Sequence, residues 1–312
     1  MRENGFLEKP QRKNKKEYFM KKKVNIVPAA AFAASLIAVI FRVFQLLVVV
    51  DYGEMGFFDF NAGFFACYGL YIFFAVAALI LTAGVILDNT KMNDAYVCGV
   101  KSLTSKQTAA LGISFLLAAC LKLYDVVFGF RGVSLDFVGE AVIFAVFALI
   151  GFMLLSRKSV RPSAGYMQLL IAVSFTVKAA ALFMQDTIIV RVSDELILLL
   201  SYIASTLFFL ALGRFLSCNE SKHTRGKLFV CGGAAAMFSC SASLAGLIAR
   251  LIDSRYMEGH TAMHPLSQIG AAIIAFTVIV ILYSKRKSYT ERLEELENQS
   301  ENEEKSDEMP QV

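Results

Sequence analysis

Apolar residues are gathered into eight long runs along the chain, and polar residues are concentrated in the short gaps between them. A run of about 20 apolar residues forms a helix that spans the hydrocarbon core of a bilayer. The runs therefore predict eight transmembrane helices, at residues 24–50, 63–87, 109–130, 137–156, 166–185, 195–217, 228–252 and 267–284. Because the gaps are too short for a separate soluble domain, we expect an all-α, polytopic transmembrane helix bundle arranged as four helical hairpins.

The composition agrees with a bundle that lies in the membrane. Of the 312 residues 56% are hydrophobic, and the mean hydropathy is +0.57, whereas soluble domains are about 45–50% apolar. The predicted organisation is a basic N-terminal tail at 1–23, the transmembrane domain at 24–284 and a C-terminal tail at 285–312. The end of that last tail is polar and acidic, so we expect the tail to be largely disordered.

Lysine and arginine residues predict the orientation of the helices. The N-terminal tail holds nine of them and the C-terminal tail five, and each of the three gaps on the same side holds three or four. The gaps on the other side hold only Arg131, Arg191 and Arg255. Since cytoplasmic loops carry the excess of positive charge, both termini are predicted to be cytoplasmic, in a multi-pass protein of the plasma membrane. The same rule accounts for the basic residues without nucleic-acid binding.

Each odd-numbered helix carries one cation inside its span, and a serine lies one or two turns before it. The cations are Arg42, Lys122, Lys178 and Arg250, and the serines are Ser35, Ser114, Ser174 and Ser243. Spacings of four, seven and eight place these residues on one helix face. The even-numbered helices have no charge in mid-span, and Glu140 falls near the end of its helix. A cation that faced lipid would have to bend toward water, so we predict that Arg42, Lys122 and Lys178 face the bundle interior.

Two interpretations of these cations remain open. In the first they are structural, paired with acids of the outer loops or within one helix, as Lys122 with Asp125 and Arg250 with Asp253 at a spacing of three. In the second the odd helices converge on an outward-facing polar cavity. There the ligand-binding residues Arg42, Lys122, Lys178, Arg250 and Asp125 would hold a small anionic solute or a lipid headgroup.

No catalytic motif is present in the sequence, so no catalytic residue, cofactor or metal site is predicted. There is no Gly-x-Ser-x-Gly and no His-Glu-x-x-His. His260 and His264 are four residues apart, but Pro265 opposes a helix there. The leading hypothesis is a non-enzymatic transport or ligand-binding component. The alternatives are a membrane scaffold or sensor that contacts a partner through its cytoplasmic tails, and a lipid-modifying enzyme without a recognisable motif.

The first hairpin contains a stretch that resembles a known group of proteins. The stretch is Phe41-Arg42-Val43-Phe44-Gln45-Leu46-Leu47, followed by Asp51 and Gly56-Phe57-Phe58. It is similar to uncharacterised multi-pass membrane proteins of anaerobic Gram-positive bacteria. That group has no assigned activity, so the resemblance implies a membrane location and no particular chemistry.

Overall fold

The computed structural model describes the helical part of the chain. The described residues are 26–51, 57–58, 63–89, 103–128, 135–156, 162–185, 193–217, 224–252, 266 and 268–284. The two predicted tails, 1–23 and 285–312, lie outside them. Within the described ranges the chain is almost entirely helical, which confirms the predicted all-α helix bundle.

Within the described ranges, eight helices follow one another. They are α1 (Ile26–Phe44), α2 (Phe64–Asn89), α3 (Ser105–Phe128), α4 (Leu135–Ser156), α5 (Pro162–Gln185), α6 (Ser193–Leu216), α7 (Thr224–Ile252) and α8 (Gln268–Ser284). Seven of them are long and apolar enough to cross a membrane, and α8 is a shorter apolar helix. The number of helices agrees with the eight apolar runs.

Three helices, α3, α5 and α7, begin about one turn earlier than hydropathy predicts, because their first turns are polar. At α3 the Thr104 hydroxyl accepts the Gln107 N–H at 3.4 Å, and the Gln107 side chain accepts the Thr104 N–H at 3.1 Å. This reciprocal pair is a capping box. At α5 the first residue is Pro162, whose fixed φ suits the first position of a helix. Neither the capping box nor the proline belongs to an apolar run, so the apolar runs underestimate the lengths of α3 and α5.

The helical structure contains two π turns, one directly after α1 and one within α7. The first, Gln45–Val49, continues α1, and the second, Cys240–Leu244, lies inside α7 and packs against α1. After the first π turn, Val50–Asp51 pairs in antiparallel fashion with Phe57–Phe58. These two short segments therefore lie side by side between α1 and α2.

Side-chain contacts show that α3 and α8 are antiparallel neighbours. At the end of the bundle where α1 begins and α8 ends, here called the tail end, Gln107 Nε2 donates to Ser284 Oγ at 2.9 Å. At the opposite end, the far end, the Leu266 N–H donates to Asp125 Oδ1 at 3.0 Å. Between them Gly270 lies against Ala118. This alternation of direction places the ends of the odd helices and the starts of the even helices together at the far end.

The outer surface of the bundle is apolar, whereas most side chains of α8 are buried or half-buried. The large side chains Leu79, Phe152 and Leu207 are all more than half exposed on the outside of α2, α4 and α6. In the described part of α8, by contrast, the only large apolar side chain that is exposed is Val280. A broad exposed apolar surface indicates contact with lipid or a partner, and here it surrounds helices of membrane-spanning length.

Glycines allow the helices of the two central hairpins to cross closely near the tail end. A Cβ added at Gly151 would lie 2.7 Å from the Leu116 side chain and 3.1 Å from the Gly112 carbonyl oxygen. A Cβ added at Gly165 would lie 2.5 Å from the backbone nitrogen of Ser217. Small residues at such crossings let helix backbones approach within a membrane. The crossings hold α3 against α4 and α5 against α6, whose polar groups meet at the far end.

Candidate functional site

Three consecutive helices each place a charged side chain at the same depth near the far end. Lys122 lies six residues before the end of α3, Glu140 five residues after the start of α4, and Lys178 seven residues before the end of α5. At 1.5 Å per residue, these positions are about 8–11 Å from the helix ends. Since α4 packs against both α3 and α5, the three side chains converge.

Glu140 is the counter-ion that both lysines share. Its Oε2 atom pairs with Nζ of Lys122, and its Oε1 atom pairs with Nζ of Lys178. Lys122 is fully buried, and Lys178 and Glu140 are 6% and 8% exposed. We call these three residues the lysine–glutamate triad. A charge taken out of water requires a paired group, and here both oxygens of one carboxylate are engaged.

Lys122 has more hydrogen-bond donors than the described residues can satisfy. An ammonium group carries three N–H donors. Among the described residues its acceptor is Glu140 alone, and Glu140 is also the partner of Lys178. A buried donor without an acceptor costs roughly 1–3 kcal/mol. The Lys122 ammonium is therefore able to bind a further acceptor group.

An aromatic wall adjoins the triad. Lys178 Nζ lies 5.2 Å from the centre of the Tyr202 ring, which is within the range of a cation–π contact. The Tyr202 ring in turn lies 6.0 Å from the ring of Phe175, one turn nearer the tail end on α5. Both rings are buried. The triad therefore combines paired charges with an apolar, polarisable surface.

Four buried phenylalanine rings, here called the aromatic layer, lie on the tail side of the triad. Consecutive ring centres are 5.7 Å apart along the series Phe115, Phe147, Phe209 and Phe175. Three of these rings lie about two helical turns, roughly 10 Å, from the triad or from Tyr202. The pairs on the same helix are Phe115 with Lys122, Phe147 with Glu140, and Phe209 with Tyr202. The layer extends across α3, α4, α5 and α6 and separates the triad from the tail end.

Arg42 belongs to a different polar cluster, in the first hairpin. It is 1% exposed, and its Nη1 atom donates to Gln45 Oε1 at 3.2 Å. Gln45 begins the first π turn, and its Nε2 atom donates to the carbonyl oxygens of Ala66 and Cys67, both at 2.9 Å. We call this cluster the arginine–glutamine clamp, because it ties the end of α1 to the start of α2.

The prediction that Arg42, Lys122 and Lys178 face the bundle interior is confirmed by their burial. The expected convergence of all four cations differs from the described contacts, which join Lys122 to Lys178 through Glu140. Arg42 lies in the clamp, and Arg250 is half-buried in the last turn of α7, beside α1. Uneven helix packing explains the difference, because α1 packs mainly on α2 and α7 whereas the triad needs α3, α4 and α5.

Asp125 is not the ion-pair partner that the spacing suggested for Lys122. Among the described residues that partner is Glu140, and the half-buried Asp125 accepts the Leu266 N–H. The suggested partner of Arg250, Asp253, lies outside the described residues. Glu140 and Tyr202 were missed by sequence reasoning. The signal for Glu140 is its depth, which equals that of the lysines on the adjoining helices.

The serines that precede the cations contribute little to a shared polar site. Ser35, Ser114 and Ser174 are buried, but each hydroxyl donates to a carbonyl oxygen of its own helix at 2.7–2.9 Å. The buried hydroxyls are thereby satisfied locally. Within the described ranges, no group of three or more His, Cys, Asp or Glu side chains could hold a metal ion, and His260 and His264 lie outside those ranges.

The seven long apolar helices and the apolar outer surface are those of a multi-pass membrane protein. Comparison of the chain with protein-family models, with curated proteins and with solved structures finds no significant match.

Proposed function

We propose that the chain is a non-enzymatic transport or ligand-binding component of the plasma membrane that binds a small anion at the lysine–glutamate triad. The observation that carries the proposal is Lys122, a fully buried ammonium that shares its described counter-ion with Lys178. An anion at this position would supply acceptors for the remaining donors of Lys122. Its charge would also balance a fully buried ammonium group.

Stability alone gives little reason for a buried cluster of this kind. Replacement of a buried ion pair or triad by well-packed apolar residues is often neutral or stabilising, by about 1–4 kcal/mol. Ionisable residues inside a membrane are rare and commonly mark solute or ion pathways. The other buried side chains of α3, α4 and α5 are mostly apolar and none of those described is charged, so the charges of the triad favour a binding role.

The far end is the side from which we expect the anion to enter. The triad is about 8–11 Å from that end, and the four rings of the aromatic layer lie between the triad and the tail end. The loop charges predict that the tail end is cytoplasmic. The binding site is therefore proposed to face outward, with both chain termini inside the cell.

The test is the melting temperature of the purified protein in detergent across a series of small anions at constant ionic strength. A ligand at 100 times its Kd stabilises the folded state by about 2.7 kcal/mol. The response should disappear in Lys122→Gln and persist in Lys106→Gln, which makes the same change at an exposed position of α3. Indifference of the wild type to every anion would contradict the proposal. A co-purifying protein that is lost when residues 285–312 are removed would favour the scaffold instead.

The orientation is tested separately with single cysteines and a membrane-impermeant thiol reagent on intact cells. Cysteines at Glu54, Arg131, Arg191 and Glu258 should react, because these positions are predicted to be outside. Cysteines at Lys101, Ser159 and Lys222 should not react. A reversed pattern at any hairpin would place the triad near the wrong membrane face for an outward site.

A further inference from the structure

We infer that the anion is a monocarboxylate with an apolar substituent, and that Glu140 occupies the carboxylate position when no ligand is bound. The inference rests on the proposed function and names the chemical class of its ligand. Its starting point is that the group now joining the two lysines is itself a carboxylate, held between α3 and α5.

The arrangement of the two ammonium groups matches a carboxylate better than other common anions. Each Nζ atom pairs with a separate oxygen of Glu140, so the positions of Lys122 and Lys178 are set by two oxygens on one carbon. Chloride has a single centre and cannot reproduce this contact. Sulfate and doubly ionised phosphate carry a second negative charge, which the two lysines and one glutamate of the triad do not balance in a buried site. Arginine, whose fork matches phosphate oxygens, is absent from the triad.

The surroundings of Lys178 suggest what the rest of the ligand is like. Tyr202 and Phe175 present buried aromatic rings beside the ammonium group. An apolar or aromatic substituent that packs against these rings would remove its apolar surface from water, which favours binding. A second charged group on the ligand would meet the aromatic layer without a partner. A monocarboxylate is therefore favoured over a dicarboxylate.

Binding would proceed by exchange of carboxylates. The ligand carboxylate would take the position between Lys122 and Lys178, with one oxygen to each ammonium group, while Glu140 would turn aside and keep one oxygen on Lys178. The outcome is two ammonium groups balanced by two carboxylates, with no covalent change. Because Glu140 competes with the ligand for Lys122, the apparent affinity of the wild type is lower than that of the site without this competitor.

The experiment measures anion-dependent melting temperatures of wild type, Glu140→Ala and Glu140→Gln at equal ionic strength. The probes are formate, acetate and benzoate, compared with chloride and sulfate. Removal of the competing carboxylate should tighten monocarboxylate binding by roughly tenfold, a change of the size expected for one modest polar contact. Benzoate should act at lower concentration than formate. The isosteric Glu140→Gln keeps the test available if Glu140→Ala fails to fold.

Gln45→Ala is the matched control, because it weakens the other buried cation centre without changing the triad. It should show no more stabilisation by carboxylates than the wild type. Equal responses of the Glu140 variants to chloride, sulfate and carboxylates would overturn the monocarboxylate inference and leave the proposed anion site standing. A wild type that responds to no anion would overturn the proposed function itself, and with it the exchange.

Discussion

The lysine–glutamate triad and the arginine–glutamine clamp both bury a cation near the far end, but they join different parts of the chain. Lys122 and Arg42 are 0% and 1% exposed. One partner of Arg42 is Gln45, three residues away, which also binds the start of the next helix. The partner of Lys122 is Glu140 on another helix, shared with a third helix. Equal burial therefore does not imply an equal role. The clamp secures one hairpin, whereas the triad concentrates charge between helices.

The largest expected effect is the loss of the shared carboxylate. Glu140→Leu leaves two buried ammonium groups without their common partner and should lower the free energy of unfolding by about 3–5 kcal/mol. The triple change Lys122→Met, Glu140→Leu and Lys178→Met removes all three charges and should recover most of that loss. The measurement is denaturant unfolding in detergent. A single Glu140→Leu variant as stable as the wild type would show that Glu140 is not the counter-ion.

A smaller loss is expected when one lysine is removed. In Lys122→Leu, Glu140 keeps Lys178 as a partner, so the free energy of unfolding should fall by about 1–3 kcal/mol. When Asp125→Asn is combined with Lys122→Leu, the two changes in the free energy of unfolding should add within about 0.5 kcal/mol. The reason is that the two side chains have separate described partners. Adding Glu140→Gln should be strongly non-additive. Coupling of Lys122 to Asp125 rather than to Glu140 in these double-mutant cycles would reverse the assignment.

The clamp should respond more weakly than the triad and without any link to anions. Gln45→Leu removes the hydrogen bonds to Ala66 and Cys67, and we expect a loss of about 1–2 kcal/mol. Thr82→Ala, which removes one exposed hydroxyl contact on α2, is the control and should change stability by less than about 0.5 kcal/mol. If Gln45→Leu abolished the anion response, the two centres could not be treated as independent.

No effect is expected from the end of the C-terminal tail. Residues 298–312 are polar and acidic and contain few apolar anchors, so they are predicted to be disordered. Their deletion should leave the melting temperature in detergent and the anion response unchanged. A clear fall in melting temperature would mean that the tail packs against the bundle.

Hydropathy was sufficient to predict the helices, because each apolar run is long enough to specify a helix by itself. The positions of the cations within the apolar runs also predicted that Arg42, Lys122 and Lys178 are buried. The cost of exposing such a side chain to lipid depends only on the residue type and on its depth in the membrane. Helix starts were less accurate. The polar capping residue Thr104 and the initial Pro162 belong to helices that hydropathy alone makes too short.

The partners of the cations could not be predicted in the same way, because a partner depends on which helices are neighbours. By sequence Glu140 is only a residue near the end of its helix, yet it pairs with lysines of both α3 and α5. Asp125 looked like the partner of Lys122 by spacing, but its side chain contacts the backbone at the start of α8. Depth can be read from sequence position. Lateral packing of helices requires the three-dimensional structure, and opposite charges at equal depth on consecutive helices are the useful signal.

An experimental density map of the protein in a lipid bilayer tests the central claim most directly. The account predicts that the Glu140 carboxylate lies between the ammonium groups of Lys122 and Lys178, with N–O distances of about 2.7–2.9 Å. All three side chains should lie between α3, α4 and α5 rather than on the outer surface. With benzoate present, it predicts added density between Lys122 and Tyr202. A map in which either lysine points to lipid, or in which Lys122 pairs with Asp125 while Glu140 faces the far surface, would contradict it.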